Sequence, residues 1–157
     1  MVVIREAQIQ EAEGICACLN SAFEPFRSPY TPAAFDDTVP SPGAIRERML
    51  HRKVYVAITS DREIVGTIAS GLEGEEGHLR GMAVSTPWQG SGIAEQLLRT
   101  AENDLLANGC RRVTLDTTVP LQRAIRFYRK NGFVPTGAVF DFFGMPLYEY
   151  AKPLTPP

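Results

Sequence analysis

Hydrophobic and polar positions along the chain repeat with the period of a strand in some segments and of a helix in others. Short apolar runs predict strands at 2–6, 54–58, 64–70, 79–85 and 112–117, and a closing hairpin at 133–142 and 147–152. Helical spacing predicts helices at 8–22, 44–51 and 93–108, and a last helix that has Pro120 in its first turn and ends at Asn131–Gly132. Five prolines between 23 and 43 predict a long loop or broken helix, which we expect to cover the substrate side.

This order of elements predicts the fold class. A meander of strands followed by alternating strands and helices indicates an α/β protein, in which a central mixed sheet carries helices on both faces. The 157 residues suit one domain, 1–157, that is large enough for a substantial core.

Composition excludes several classes of function. Hydrophobic residues make up 44% of the chain, charged residues 22%, and the net charge of −2 offers no basic footprint for nucleic acid. No apolar run approaches the roughly 18 residues of a membrane span, and no signal-peptide core follows Met1. Cys16 and Cys18 point in different directions on a predicted helix, so they cannot form a metal pair. We expect free thiols, no metal site and a cytoplasmic location.

The segment Gln89-Gly90-Ser91-Gly92-Ile93-Ala94 is the strongest chemical feature of the sequence. It follows a predicted strand and opens a predicted helix, so several backbone N–H groups and the positive end of the helix dipole converge there. Such a junction binds anions, most often phosphate.

Two common phosphate-binding loops do not match this segment. A nucleoside-triphosphate loop needs a lysine, and none follows Gly92. A dinucleotide loop needs a third glycine where Glu95 stands, although Asp116 suits the expected ribose ligand. A Rossmann-like nucleotide binder is therefore disfavoured, and titration with NADH would test this alternative.

Gln89, Gly92 and Ala94, followed at the expected spacing by Ala124, Tyr128 and Gly132-Phe133, resemble the motifs of the GCN5-related N-acetyltransferase (GNAT) family. The resemblance implies the acyl-CoA N-acyltransferase fold and acetyl-CoA as cosubstrate. It assigns the diphosphate to the loop from Gln89 to Ala94, through Gln89, Gly90, Ser91, Gly92, Ile93 and Ala94. It also implies that the strand before the loop splays from the strand at Arg112 and admits the pantetheine arm.

Further site residues follow from the same resemblance. Backbone groups of Met82, Ala83 and Val84 are expected to meet the acetyl carbonyl and the pantetheine amides, and Tyr128 to be the general acid at the sulfur. Leu121 stands where the family often has an asparagine that touches the cosubstrate. The predicted reaction is acetyl transfer to a primary amine of a small molecule or a peptide, by direct attack with a tetrahedral intermediate. Polyamines, amino acids, aminoglycosides and protein N-termini all stay open as acceptors, and the alternative function is a non-catalytic acyl-CoA sensor of the same fold.

The general base is open at this stage. His78 is a candidate, on the strand face predicted to carry Arg80 and Met82. Glu73, Glu75 and Glu76 suit an exposed hairpin tip better, and Asp116 and Glu149 rank lower. Arg80 either holds a substrate carboxylate or pairs with an acidic neighbour, and Arg129 and Lys130 either meet the ribose phosphate or face solvent. The aromatic residues from Phe140 to Tyr150 either line an acceptor pocket or seal a homodimer.

Overall fold

A computed structural model describes residues 1–156, with seven strands in one mixed sheet. The strands are β1 (Val2–Glu6), β2 (Lys53–Thr59), β3 (Ile64–Glu73), β4 (Glu76–Val84), β5 (Arg112–Thr117), β6 (Val134–Phe142) and β7 (Met145–Pro153). The helices are α1 (Ala12–Phe23), α2 (Pro32–Thr38), α3 (Pro42–His51), α4 (Ile93–Ala107) and α5 (Gln122–Lys130), with 3-10 turns at Ile9–Glu11, Glu24–Phe26 and Thr86–Trp88. The sheet order is β1-β2-β3-β4-β5-β7-β6, in which β4 and β5 are parallel and the other neighbours antiparallel.

Helices cover both faces of the sheet, as the pattern of the sequence predicted. On one face α4 buries Leu97, Leu98 and Leu105 in the larger core, together with Val113 of β5. On the other face α1 packs against β3, β4 and α3, and Ile15 and Ile45 are buried there in a second core. The periodicity of these helices explains the arrangement, because each carries one apolar stripe that must be buried. No helix among residues 1–156 has the length and apolar character of a membrane span.

The closing hairpin inserts its second strand next to β5, so that β6 becomes the edge of the sheet. Leu115 pairs with Tyr150, and Asp116 pairs with Glu149. Burial explains this order, because Tyr150 and Ala151 are buried in the sheet while β6 is largely exposed. The sequence predicted the hairpin but not which of its strands is internal.

Several predicted boundaries are wrong. The predicted turn at 73–77 is shorter in the structure, because β3 continues to Glu73 and β4 begins at Glu76. Two helix starts differ for a local reason. Residues 8–11 are not part of the first helix, because the Glu11 carboxylate accepts the Gln8 N–H at 2.7 Å and pairs with Arg5 at 2.7 Å, which holds a separate 3-10 turn. Pro120 is not in the first turn of α5. The Leu121 N–H bonds to the Thr118 carbonyl at 3.1 Å, and the resulting turn delays the helix until Gln122.

The proline-rich segment 23–43 is a broken helical stretch, which agrees with one of the two predicted forms. The side chain of Thr31 caps α2 by accepting the Ala34 N–H at 3.2 Å. Tyr30 and Phe35 then form a small core with Met145 from the closing hairpin. This contact and the hydrogen bond between the hydroxyls of Tyr30 and Thr118, at 2.7 Å, fix the segment beside the end of β5.

A β-bulge interrupts β4 at its middle. Gly81 and Met82 together oppose Ile68 of β3, since Ala69 pairs with Arg80 and Thr67 with Ala83. Gly81 has a φ of +59°, which favours glycine. The extra residue reverses the alternation of β4. Met82 therefore packs with the core on the α4 face, and the prediction that it shares a face with His78 is wrong.

Candidate functional site

The sheet opens between its two parallel strands. Pairing of β4 with β5 runs from Glu76–Arg112 to Leu79–Leu115 and then stops, although β4 continues to Val84 and β5 to Thr117. Backbone groups of β4 beyond Leu79 therefore face a gap instead of a neighbouring strand. Two cavities adjoin this gap, one at the loop after β4 and one over the opposite sheet face.

The loop after β4 presents main-chain donors at the start of α4. Gly92 is the N-cap residue with a φ of +90°, and no side chain caps the helix. The first helical bond is donated by Gln96 to the Gly92 carbonyl at 3.3 Å, so the N–H groups of Ile93, Ala94 and Glu95 have no acceptor within the helix. Free donors at a helix N-terminus, together with the helix dipole, favour the binding of an anion.

Side chains of the loop hold it in place. The Gln89 amide donates to the Val84 carbonyl at 3.0 Å, and the Ser91 hydroxyl donates to the Trp88 carbonyl. These bonds tie the loop to the end of β4, so its donors are oriented without a ligand. The Val84 carbonyl, predicted to be available to the cosubstrate, already accepts one hydrogen bond from Gln89.

Arg123 adds a positive charge at this loop, and the sequence analysis did not identify it. Its Nη1 donates to Gln89 Oε1 at 3.2 Å, and its Nη2 lies 3.5 Å from where a Cβ of Gly90 would be. Of the two cations considered from the sequence, Lys130 lines the same cavity. Arg129 instead lies over the Tyr150 ring at 5.6 Å.

We call the cavity at this loop the loop cleft; its volume is about 440 Å³. Its walls come from the end of β4, the loop and one side of α5. The principal lining residues are Phe23, Met82, Ala83, Val84, Trp88, Gln89, Gly90, Gly92, Ala94, Leu121, Arg123, Phe127, Tyr128 and Lys130.

A second cavity of about 320 Å³, which we call the arginine cavity, lies across the gap from the loop cleft. Its polar walls come from α2, α3, β4 and β5. The principal lining residues are Tyr30, Asp37, Arg48, His78, Arg80, Asp116, Thr117 and Thr118, with Phe23, Met82, Leu121 and Tyr128 shared with the loop cleft. The segment 23–43 supplies part of this wall through Tyr30 and Asp37.

Tyr128 lies where the two cavities meet. Its hydroxyl is 3.8 Å from the Met82 sulfur, and its ring packs edgewise against Phe127 and Phe133 at 5.7 and 5.9 Å. Burial of the hydroxyl, with a smaller contribution from Tyr30, raises the pKa of Tyr128 to about 12. The phenol is therefore protonated at neutral pH, and the aromatic packing fixes its direction.

His78 and Asp116 form a titratable pair in the arginine cavity. His78 Nε2 lies 3.4 Å from Asp116 Oδ2, and Nδ1 lies 2.8 Å from the Thr114 hydroxyl. Burial lowers the pKa of His78, which the Asp116 charge partly restores. Burial raises the pKa of Asp116, against the effect of His78. Nδ1 of His78 is thus held by Thr114, while Nε2 faces the Asp116 carboxylate across the cavity wall.

The other acidic candidates lie elsewhere. Glu76 pairs with Arg112 at 2.6 Å near the exposed β3–β4 turn, and Glu73 and Glu75 are exposed there. Glu149 accepts a hydrogen bond from the Thr136 hydroxyl at 2.9 Å. None of these carboxylates is among the residues that line either cavity. Within residues 1–156, no three His, Cys, Asp or Glu side chains come together as a metal site would require.

A sheet opened between two parallel strands, with uncapped donors at the following helix, is the architecture of an acyl-CoA N-acyltransferase. The sequence profile of the Acetyltransferase (GNAT) family matches residues 15–133. The chain belongs to the GNAT family, as its motifs predicted.

Known proteins agree with this assignment. The N-alpha-acetyltransferase MAK3 of Arabidopsis thaliana is 28% identical over 102 residues, which cover 59% of this chain and 54% of the relative. The chain thus spans about half the length of this curated relative.

Solved structures match nearly the whole chain. The paia N-acetyltransferase from Thermoplasma acidophilum, solved in complex with coenzyme A, superposes with a TM-score of 0.81 at 17% identity and covers 98% of this chain and 99% of its own. The ribosomal-protein-S18-alanine N-acetyltransferase from Escherichia coli gives 0.79 at 15% identity, over 100% of this chain and 96% of its own. At these identities the likeness establishes the fold.

Proposed function

We propose that this protein transfers an acetyl group from acetyl-CoA to the primary amine of an acceptor. The observation that carries the proposal is the position of Tyr128, between a cleft with uncapped main-chain donors and a cavity with a titratable pair. Family membership supports the reaction class, and the coenzyme A held by the Thermoplasma relative supports the choice of cosubstrate.

Acetyl-CoA is proposed to bind in the loop cleft. The backbone from Gln89 to Ala94 receives the diphosphate through the N–H groups of Gly90, Ser91, Gly92, Ile93 and Ala94, and Arg123 adds a charge. Gly90 and Gly92 carry no side chain that would keep the diphosphate from the main chain. The pantetheine arm then lies along the unpaired side of β4, against backbone groups of Met82, Ala83 and Val84.

The acceptor amine must lose a proton. An amine with a pKa near 10.4 is mostly charged at pH 7, and its deprotonation costs about 4–5 kcal/mol. The His78–Asp116 pair is our candidate for the proton acceptor. The carboxylate of Asp116 takes the proton, because burial raises its pKa and makes it a better proton acceptor than an exposed carboxylate, and His78 tunes it through its charge.

Tyr128 is proposed to act on the sulfur. The neutral amine nitrogen bonds to the acetyl carbon through a tetrahedral intermediate, the carbon–sulfur bond breaks, and the sulfur leaves with the electron pair. The nitrogen gives up a second proton as the amide forms, and that proton neutralises the thiolate. Complete proton transfer from a phenol with a pKa of about 12 to a thiolate whose acid has a pKa near 8.5 is uphill by roughly 5 kcal/mol. Tyr128 therefore stabilises the departing thiolate first as a hydrogen-bond donor.

A catalytically silent acyl-CoA sensor is the second candidate. Leu121 favours it, because this side chain lines both cavities at the position where the family often has a polar contact to the cosubstrate. Tyr128 and the His78–Asp116 pair favour the enzyme, since a sensor has no need of either.

Two further properties belong to the proposal. A homodimer through β6 is supported by Val134, Val139, Phe140 and Phe143, which are about half exposed at the sheet edge, and sedimentation equilibrium tests it. A cytoplasmic location is supported by the free thiols of Cys16, Cys18 and Cys110, and microscopy of a fluorescent fusion tests it.

The experiment that tests the function follows coenzyme A release with a thiol reagent across a panel of amines. The enzyme predicts thiol release that depends on one class of amine and falls in Tyr128→Phe. Acetyl-CoA binding by calorimetry without thiol release from any amine would favour the sensor, and the absence of binding would exclude both.

A further inference from the structure

We propose that the arginine cavity selects an acceptor that carries a carboxylate, which Arg48 and Arg80 bind while the amine faces Asp116 and Tyr128. The acceptor is then a small amino carboxylic acid. This inference deepens the proposed function and rests on it, since it names the substrate class of the same site. Its basis is the guanidinium group of Arg48 in the wall of the cavity, which forms no ion pair among residues 1–156. The two acids of the same wall, Asp37 and Asp116, pair with Arg80 and His78.

Arg48 reaches the cavity from α3 and forms no ion pair with the acids that line it. Within residues 1–156, no carboxylate lies within ion-pair distance of its guanidinium. Its Nη1 lies only 2.6 Å from the place that a Cβ of Gly81 would occupy, so the absence of a side chain at the bulge makes room for it. The bulge in β4 thus admits a charged group that the protein itself does not neutralise.

Arg80 is only partly neutralised. Its Nη2 lies 3.3 Å from Asp37 Oδ2, a long contact in which both side chains are 38% exposed. Asp37 is the nearest acid to both arginines in this wall, since it also acts on the charge of Arg48. The other acid of the wall, Asp116, pairs with His78. Asp37 is therefore the carboxylate that both guanidinium groups share, and a ligand carboxylate can pair with Arg48.

Arg52 places a third guanidinium group behind the wall of the cavity. Its Nη1 is buried and has no hydrogen-bond partner among residues 1–156, and its guanidinium lies against Gly71, which is paired with His78. Burial and the charge of Arg80, with a smaller effect of Arg52, lower the pKa of Arg48 to about 10. Arg48 is still charged at neutral pH, and the mutual repulsion of the three cations falls when an anion enters.

The groups that line the arginine cavity match the carboxylate and the amine of an amino acid-like ligand. A guanidinium fork matches the two oxygens of a carboxylate and binds it through paired hydrogen bonds. Asp116 and Tyr128 line the same cavity, where the amine must lie for acetyl transfer. A polyamine would place a second cation against Arg48 and Arg80 and would be repelled.

The test compares ligands that differ only in the terminal group. We would titrate the coenzyme A complex by calorimetry with N-acetyl-γ-aminobutyrate and with the corresponding amide, and repeat both with shorter and longer homologues. Thiol release would be followed in parallel with γ-aminobutyrate, its amide and putrescine, whose amines have similar basicity. We expect at least one homologue to bind about tenfold more tightly as the carboxylate than as the amide.

Three variants assign that preference to residues. Arg48→Gln removes the preference for the carboxylate. Asp37→Asn removes the competing internal acid and strengthens carboxylate binding about threefold, a gain that a merely structural role for Asp37 would not produce. Arg46→Gln is the matched control on the same helix, because Arg46 pairs with Glu13 outside the cavity, and it leaves the preference unchanged.

The possible outcomes distinguish a failure of the carboxylate preference from a failure of the proposed acetyltransferase activity. If amides or putrescine bind and react as well as carboxylates, the acetyltransferase stands and the carboxylate preference is overturned. If carboxylates bind preferentially and Arg48→Gln abolishes this, but no amine releases thiol, the anion site stands and the enzymatic proposal fails. If Arg48→Gln does not fold, the gain in Asp37→Asn decides, and no gain there overturns the inference.

Discussion

The loop cleft and the arginine cavity meet at Tyr128 but are built in different ways. The loop cleft takes its donors from the main chain of consecutive residues, Gln89 to Ala94, at one helix terminus. The arginine cavity takes its charges from side chains on α2, α3, β4 and β5, which only the folded sheet brings together. In the proposed function, backbone donors recognise a diphosphate whatever side chains flank them, whereas the side chains of the cavity determine which acceptor fits.

This difference predicts which kinetic or binding property a mutation in each cavity will change. A change in the loop cleft should act on cosubstrate binding, and a change in the arginine cavity should act on turnover or on acceptor choice. Variants that cross this division would contradict the account.

The largest expected effect is that of Gly92→Asp. The new side chain would bring a negative charge to the diphosphate and would adopt a left-handed φ of +90°. We expect acetyl-CoA affinity by calorimetry to fall about 100-fold or more. Gly74→Asp, which has a φ of +65° and open space in the β3–β4 turn, controls for backbone strain and should bind normally. An unchanged dissociation constant in Gly92→Asp would remove the diphosphate from this loop.

Asp116→Asn should lower kcat by about 10²-fold or more, because it removes the proposed proton acceptor and leaves the loop cleft intact. The KM for acetyl-CoA should stay near its original value in steady-state kinetics. Glu149→Gln is the matched control on the paired strand and should keep kcat within about threefold, since its carboxylate bonds to Thr136. A loss in Glu149→Gln that equals the loss in Asp116→Asn would contradict the assignment.

Tyr128→Phe should lower kcat by about 10–100-fold while leaving acetyl-CoA affinity unchanged. The phenol contributes a hydrogen bond to the departing thiolate, and phenylalanine preserves the packing on Phe127 and Phe133. Tyr150→Phe, a buried change remote from both cavities, should leave turnover unchanged. Full activity in Tyr128→Phe would remove the phenol from the mechanism.

His78→Gln should move the ascending limb of the pH profile. The proton acceptor works in its deprotonated form, so kcat/KM falls as pH drops through the pKa of the pair. Burial raises the pKa of Asp116, and the imidazolium charge of His78 lowers it. Without that charge the pKa of Asp116 rises, and the limb shifts to higher pH with a plateau within about tenfold of the original. A shift to lower pH would exclude Asp116 as the acceptor.

The smallest expected effect is that of Leu121→Asn. An amide at the start of α5 would add a polar contact to a ligand in the loop cleft, worth about threefold to tenfold in acetyl-CoA affinity. Leu121→Ala, which shortens the side chain without adding a donor, should give no gain. Equal affinities in calorimetry for Leu121→Asn and the original protein would show that this position does not meet the cosubstrate.

The sequence was sufficient for most of the fold because its elements carry clear local patterns. β1 and β5 occur at the predicted residues, and the glycine at 109 ends α4 as expected, with a φ of +89°. The helix starts were less accurate, since Glu11 and Leu121 form local bonds that periodicity does not register. The bulge at Gly81 was not predicted either, because a strand this short is not long enough for one inserted residue to change its hydrophobic pattern recognisably.

The two cavities show the same limit at the level of the site. The loop from Gln89 to Ala94 could be found because its residues are contiguous. The charge of Arg123 at the loop, the pairing of His78 with Asp116 and the position of Arg48 over Gly81 depend on contacts between distant segments. Nothing in the sequence of α3 distinguishes Arg48 from the other arginine of that helix. Its position in the cavity follows only from its contact with Gly81 in the folded protein.

The most direct test of the account is a crystal structure of the protein with coenzyme A. We predict that the diphosphate accepts hydrogen bonds from the N–H groups between Gly90 and Ala94, and that the sulfur lies within hydrogen-bond reach of the Tyr128 hydroxyl at the edge of the arginine cavity. A coenzyme bound away from this loop, or a sulfur directed away from Tyr128, would contradict the account.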